Sequence, residues 1–219
     1  MHPSRLSPGN NVLAWFARAA EQGNPYAQLN LGLMYKNGSG EVPCDEVRAC
    51  EWLLRAAEQR LAFAQNHLGA MYYQGRGVPQ SDREAVRWFK RAADQGDASA
   101  QQNLGDMLRR GCGGPPTPEQ ALVWYQRAAA QNLASAQYLL GVCYLRGEGT
   151  PVNYPLATAW LRKAALNDHA AAEVTLGQLY RRGEGVCAND TEAAYWFRRA
   201  ASPNQPTAWE SDCGTPRPW

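Results

Sequence analysis

An all-α fold of stacked helix pairs is what this 219-residue sequence predicts, on three observations. Tryptophan recurs at Trp15, Trp52, Trp88, Trp124, Trp160 and Trp196, a spacing of 37 residues once and 36 thereafter. Three residues after each tryptophan stand a basic residue and two alanines, from Arg18-Ala19-Ala20 to Arg199-Ala200-Ala201. A second column interleaves: Leu31-Gly32, Leu68-Gly69, Leu104-Gly105, Leu140-Gly141 and Leu176-Gly177, preceded at one distance by Ala27, Ala64, Ala100, Ala136 and Ala172. Self-similarity at this period marks a solenoid, in which each unit buries its apolar face only against its neighbours.

The chain opens on a helix over 9–22 that carries Trp15. It belongs to the second, or B, helix type and has no preceding partner. It reads as a natural cap or as the trimmed end of a longer chain, and the missing partner favours trimming. Five pairs follow, A then B: 25–37 and 45–59, 62–74 and 81–95, 98–110 and 117–131, 134–146 and 154–167, 170–182 and 189–201. The A helices rest on stripes such as Ala64, Leu68, Met71 and Tyr72, at i, i+4, i+7 and i+8. The B helices rest on Ala85, Trp88, Phe89, Ala92 and Ala93 and their equivalents.

Entry to each B helix is marked seven residues before its tryptophan by Asp45, Ser81, Thr117, Asn153 or Asn189, side chains that accept from first-turn N–H groups. Ser81 with Glu84, and Thr117 with Gln120 and Pro118 between, read as capping boxes. Loops such as "QGRGVPQ" and "RGEGTPV" end the A helices with a left-handed glycine. The helix-centre glycines cost about 0.8–1 kcal/mol each relative to alanine. Close approach of helix A to the bulky tryptophan of helix B is the expected compensation. The chain thus divides into 1–24, a leader and orphan capping helix; 25–201, five repeats; and 202–219, a proline-rich tail.

The pattern A-Q-x-x-L-G-x-x-Y-x-x-G-x-G, then A-x-x-W-[FLY]-x-[RK]-A-A, resembles the Sel-1-like repeat, a relative of the tetratricopeptide repeat. Residues 64–93 carry it most fully, in Ala64, Gln65, Leu68, Gly69, Tyr72, Gly75, Gly77, Ala85, Trp88, Phe89, Arg91, Ala92 and Ala93. Leu108 stands in place of the tyrosine in the third unit and Glu173 in place of the glutamine in the fifth. The resemblance implies a right-handed α/α superhelical solenoid that acts as an adaptor between proteins. Bacterial members are linked to the envelope, secretion and host contact, and some resemble immunity proteins that neutralise a delivered toxin.

The formal net charge is +2, and the three lysines, Lys36, Lys90 and Lys163, and the arginines are spread along the chain. That spread gives no polybasic footprint for nucleic acid. No run approaches the ~20 apolar residues that span a bilayer, and the sequence as given shows no export signal. Membrane insertion is not expected.

Catalysis has little to stand on. His2, His67 and His169 are the only histidines, and His67 reads as a surface or groove residue. The glycine loops follow helices and lack a Walker lysine. No H-E-x-x-H, C-x-x-C or G-x-S-x-G motif occurs. No catalytic, metal or cofactor residue is assigned, and no small-molecule substrate is expected. Cysteine chemistry stays open: Cys44, Cys50, Cys112, Cys143, Cys187 and Cys213 do not recur at one repeat offset, unlike paired cysteines in secreted members of the resembled family. If oxidised, the most economical pairs are Cys44–Cys50, Cys112–Cys143 and Cys187–Cys213. Otherwise Cys50 and Cys143 are small core residues and the rest incidental thiols.

By analogy with tetratricopeptide geometry, the binding wall is formed by A-helix positions six and three before each Leu-Gly glycine and one and four after it. These positions are constant in place and variable in kind. Tyr26, Leu29, Phe63, Tyr73 and Tyr138 are candidate anchors, with Asn66, Gln102, Asp106, Arg109, Val142 and Arg181 completing the candidate face. The expectation is a non-enzymatic interaction module that holds a protein partner, a toxin or a secretion or envelope component, in a periplasmic or otherwise extracytoplasmic setting, with the cytoplasm as alternative. An immunity protein against a secreted toxin such as a type VI phospholipase effector is the second reading. A cysteine-dependent enzyme or redox protein is the reading of another class.

Overall fold

The computed structural model describes residues 8–38 and 42–201. Among them stand eleven helices and no strand: α1 (Pro8–Glu21), α2 (Pro25–Asn37), α3 (Glu46–Glu58), α4 (Ala62–Gln74), α5 (Asp82–Asp94), α6 (Ala98–Arg110), α7 (Pro118–Ala130), α8 (Ala134–Arg146), α9 (Tyr154–Leu166), α10 (Ala170–Arg182) and α11 (Asp190–Ala201). Each lies within about a residue of its expected place. Helices adjacent in sequence pack in antiparallel succession, most extensively α2 on α3 and α4 on α5 in one compact unit, and α8 on α9 and α10 on α11 in a second. The units meet in sequence between Trp124 and Tyr125, inside α7.

Their cores come from the repeated columns. In the first unit Ala49, Leu53, Ala56, Ala64, Leu68 and Met71 are fully buried, and Trp88 packs on them. Leu161, Ala164, Ala172, Leu176 and Trp196 do the same in the second. Trp15 of the unpaired α1 is exposed, but within the pairs the tryptophan packs where the A helix meets the helix before it, as Trp52 does against Ala20 of α1 and Ala27 and Leu31 of α2. Its outer face is covered by the basic residue three positions on, with Arg55 at 4.4 Å from Trp52, Arg91 at 4.5 Å from Trp88 and Lys163 at 4.1 Å from Trp160. That geometry accounts for the fixed basic column as cation–π contact.

The glycine expectation needs a correction. The group lying on each A-helix glycine is the side chain after the tryptophan, not the tryptophan itself. A Cβ on Gly32 would meet Leu53 at 2.8 Å, on Gly69 Phe89 at 2.8 Å, on Gly141 Leu161 at 2.7 Å and on Gly177 Phe197 at 2.8 Å. The tryptophan is used elsewhere, in the cluster that the A helix of its own pair makes with the B helix before it, as Trp88 is with α4 and α3.

The loop glycines are of two kinds. Gly75, Gly111, Gly147 and Gly183 close their helices in the left-handed region. Two residues later Gly77 and Gly185 touch the first turn of the B helix before, where an added Cβ would stand 2.1 Å from the Glu46 carbonyl oxygen or 2.6 Å from the Tyr154 carbonyl. Each loop ends where the N–H of the B-helix cap returns to the A helix: Asp45 to Tyr35 O, Ser81 to Tyr72 O, Thr117 to Leu108 O, Asn153 to Tyr144 O and Asn189 to Tyr180 O. The side chains of Asp45, Ser81, Asn153 and Asn189 accept first-turn N–H groups as expected. Thr117 does not: its hydroxyl is buried without a hydrogen-bond partner, so the expected capping box is absent there. Glu84 is likewise turned to Arg87 at 2.6 Å.

Buried glutamines recur at one place on four of the A helices. Gln28, Gln65, Gln101 and Gln137 donate Nε2 to the carbonyls of Ala20, Ala57, Ala93 and Ala129, eight residues back. The freed oxygen accepts from the C-terminal end of the B helix of the same pair: Gln59 to Gln28 at 2.8 Å, Gln95 to Gln65 at 2.7 Å and Asn167 to Gln137 at 3.0 Å. In the fifth pair Glu173, 2% exposed, takes the glutamine's place. Arg199 binds it at 2.7 Å and Asp168 at 2.6 Å. Burial raises the Glu173 carboxyl above its ordinary pKa, and Arg199 pulls it partly back.

Candidate protein-binding face

The A helices present their variable positions on the side not used by the B helices. In the first unit these lie on α2, α4 and α6. Tyr26 is 64% and Phe63 49% exposed, at equivalent places on α2 and α4, while the alanine that follows each is buried. An open cavity of about 250 Å³ between α1 and α2 is lined by Phe16, Asn30, Leu33, Met34, Asn37 and Gly38, a mixed apolar and amide-bearing surface.

Leu29 is not an anchor. At 8% exposure it belongs to the core beneath Trp88, because this position on α2 turns toward α3. The other candidates join neighbouring A helices. Asn103 of α6 donates to Asn66 of α4 at 2.9 Å, and Arg110 of α6 donates to the Tyr73 hydroxyl of α4 at 3.1 Å. Gln102, Asp106 and Arg109 are half-buried on α6. In the second unit the Tyr138 ring stacks on His169 at 4.6 Å, Val142 is half-buried, and the Arg181 guanidinium lies 5.9 Å from the Phe197 ring. Tyr138 is thereby held by the next pair, and less of it is offered outward than the sequence suggests.

Lys36, which stands in one of these variable rows, and His67, which the sequence marks as a surface or groove residue, also lie on the face. Lys36 of α2 and His67 of α4 meet at 3.3 Å between ammonium and Nδ1. Burial, with Lys36 beside it, lowers the His67 pKa to about 4. The ring is neutral near pH 7 and accepts from the ammonium. Phe63 stands edge-on to the same ring at 4.8 Å. The variable-position row containing Lys36 is legible in the sequence, but its contact with His67 requires the register of two repeats.

The cysteines are free thiols at Cys44, Cys50, Cys112, Cys143 and Cys187, so neither pairing that falls within the described residues is formed; Cys213 lies outside them. Cys50 and Cys143 are buried among apolar side chains, and burial pushes the Cys50 thiol up to about 11. No group of three or more His, Cys, Asp or Glu side chains among the described residues is arranged to hold a metal ion. Among them also, no helix is long and apolar enough to cross a membrane.

Helix pairs with a fixed packing register and a variable outward face define a repeat module of protein interaction. The chain belongs to the Sel1 repeat family, whose profile matches residues 13–24, 25–61, 62–97, 98–133, 134–169 and 170–202. A protective antigen of uropathogenic Escherichia coli displaying the same fold is 38% identical, with a TM-score of 0.84 over 88% of this chain and 41% of that one. A Sel1 repeat protein from Oxalobacter formigenes is 37% identical, with a TM-score of 0.79 over 92% of this chain and 58% of that one. The chain thus spans about half the length of these two proteins. The immunity protein Pa5087 of Pseudomonas aeruginosa shares the fold at 20% identity and a TM-score of 0.55, over 99% of this chain and 84% of that one. No curated protein matches the chain.

Proposed function

We propose that this chain is a non-enzymatic adaptor that holds a protein partner against the α2–α4–α6 face of its first unit. The observation that carries this reading is the exposure of Tyr26 and Phe63 at equivalent repeat positions whose neighbours are buried. Aromatic side chains supply large contact area at low conformational cost, and they dominate binding energy when a partner covers them. The open cavity lined by Phe16, Leu33 and Met34 gives such a partner a place to insert a side chain of its own. Affinity capture with the wild-type chain and with Tyr26→Ala/Phe63→Ala tests the reading. A partner retained by the first and lost by the second, at unchanged helical circular dichroism, is the expected result. Equal capture by both sinks the assignment of the face.

An extracytoplasmic setting and a toxin as partner belong to the same proposal. Fractionation of the native protein tests the first. Inhibition of the captured partner's own activity would make the interaction that of an immunity protein.

A further inference from the structure

On the α2–α4–α6 face, which also carries the acid Asp106, Lys36 and Arg110 have no carboxylate partner among the described residues. Arg48, Arg87 and Lys90, on the B helices of the same unit, each have a carboxylate at 3.3 Å or less. Lys36 is half-buried, and among the described residues its polar partner is the neutral His67 ring alone. Burial lowers the Lys36 pKa, and Arg76, itself bound to Glu46 at 2.6 Å, lowers it further. Asp97, the acid felt by His67, already caps α6 through the Ala100 N–H at 2.7 Å. Among the described residues, Arg110 at the far end of α6 meets the Tyr73 hydroxyl and no carboxylate. Between them Asn66 accepts one hydrogen bond from Asn103 and keeps its own amide N–H groups for another acceptor.

A half-buried ammonium is costly unless an anion joins it, and charge-assisted hydrogen bonds are about twice as strong as neutral ones. The donors lie on three consecutive A helices, as a row along the stacking direction and not as a point. Phe63, edge-on to the His67 ring, adds apolar surface near the Lys36 end.

We propose that this face recognises an extended acidic peptide segment: one carboxylate on Lys36, a backbone carbonyl on the Asn66 amide, and a second carboxylate on Arg110. The proposal rests on the reading of this face as the docking surface and adds the chemistry of its occupant.

Random peptides displayed on phage and selected on the full chain test it, whatever the partner's identity. The expected result is enrichment of Asp and Glu among selected peptides. Lys36→Met or Arg110→Met then weakens a representative selected peptide by about tenfold or more, and Lys36→Arg restores most of the loss. Binding also weakens steeply with salt. Peptides selected without acidic enrichment, lost on Tyr26→Ala/Phe63→Ala but indifferent to Lys36→Met, overturn this inference and leave the docking face standing. Failure to select any peptide, or binding indifferent to all of these changes in a folded protein, overturns both.

Discussion

The glutamine and glycine columns show how single residues set the spacing of whole pairs. Replacing Gly69 by alanine gains about 0.8–1 kcal/mol of helix propensity, yet its Cβ must push the Phe89 ring from 2.8 Å. Overpacking of this kind costs about 1–3 kcal/mol. Gly69→Ala therefore lowers the thermal midpoint, and Gly69→Leu lowers it further; a midpoint equal to wild type would refute the packing account. Gln65 makes the same test for polarity. Gln65→Glu turns a carboxylate onto the Ala57 carbonyl, where Arg91, the column counterpart of Arg199, lies over the Trp88 ring at 4.5 Å, whereas Arg199 binds Glu173 at 2.7 Å. Chemical denaturation should find Gln65→Glu strongly destabilised at pH 7 and partly recovered near pH 4.5 relative to wild type at the same pH. His67 supplies a pH dependence of its own. Its folded pKa of about 4 lies below the ordinary 6.5, so the folded state binds fewer protons between them. Its contribution to stability is present above pH 6.5 and is lost as pH falls from 6.5 toward 4. His67→Gln flattens the stability profile in that window; an unchanged slope would mean that the ring titrates normally.

At the scale of elements, the joint between a loop and the preceding B helix holds successive pairs in register. Gly77 sits with φ +69° against the Glu46 carbonyl, and Arg76 beside it binds the Glu46 side chain. Gly77→Ala moves backbone rather than a flexible side-chain end, so hydrogen exchange should accelerate first in the opening turn of α3 and the α4–α5 loop. Uniform exchange across both would count against the joint. Helix placement is legible in the sequence because caps, glycines and apolar stripes agree at each repeat. The Thr117 cap is not, because residue type alone does not show whether a hydroxyl reaches an N–H. Nor does the sequence tell which bulky side chain meets the glycine, the tryptophan or the residue after it; only the crossing of the helices decides which one faces inward.

For the molecule as a whole, a fixed packing frame leaves one face free to vary, and that is the face proposed to hold a partner. The candidate positions are readable as columns, since repeats align without a structure. Which of them point outward is less readable. Leu29 is drawn under Trp88, and Tyr138 is covered by His169 of the next pair, while Lys36 and His67 gain their relation only when α2 and α4 lie side by side. The most direct test of the account is calorimetric titration of the captured partner against wild type and Tyr26→Ala/Phe63→Ala, with thermal melts of both. The account predicts a dissociation constant raised at least tenfold, as loss of two aromatic anchors costs more than about 1.4 kcal/mol, at an unchanged melting midpoint. An unchanged dissociation constant would place the partner elsewhere and contradict it.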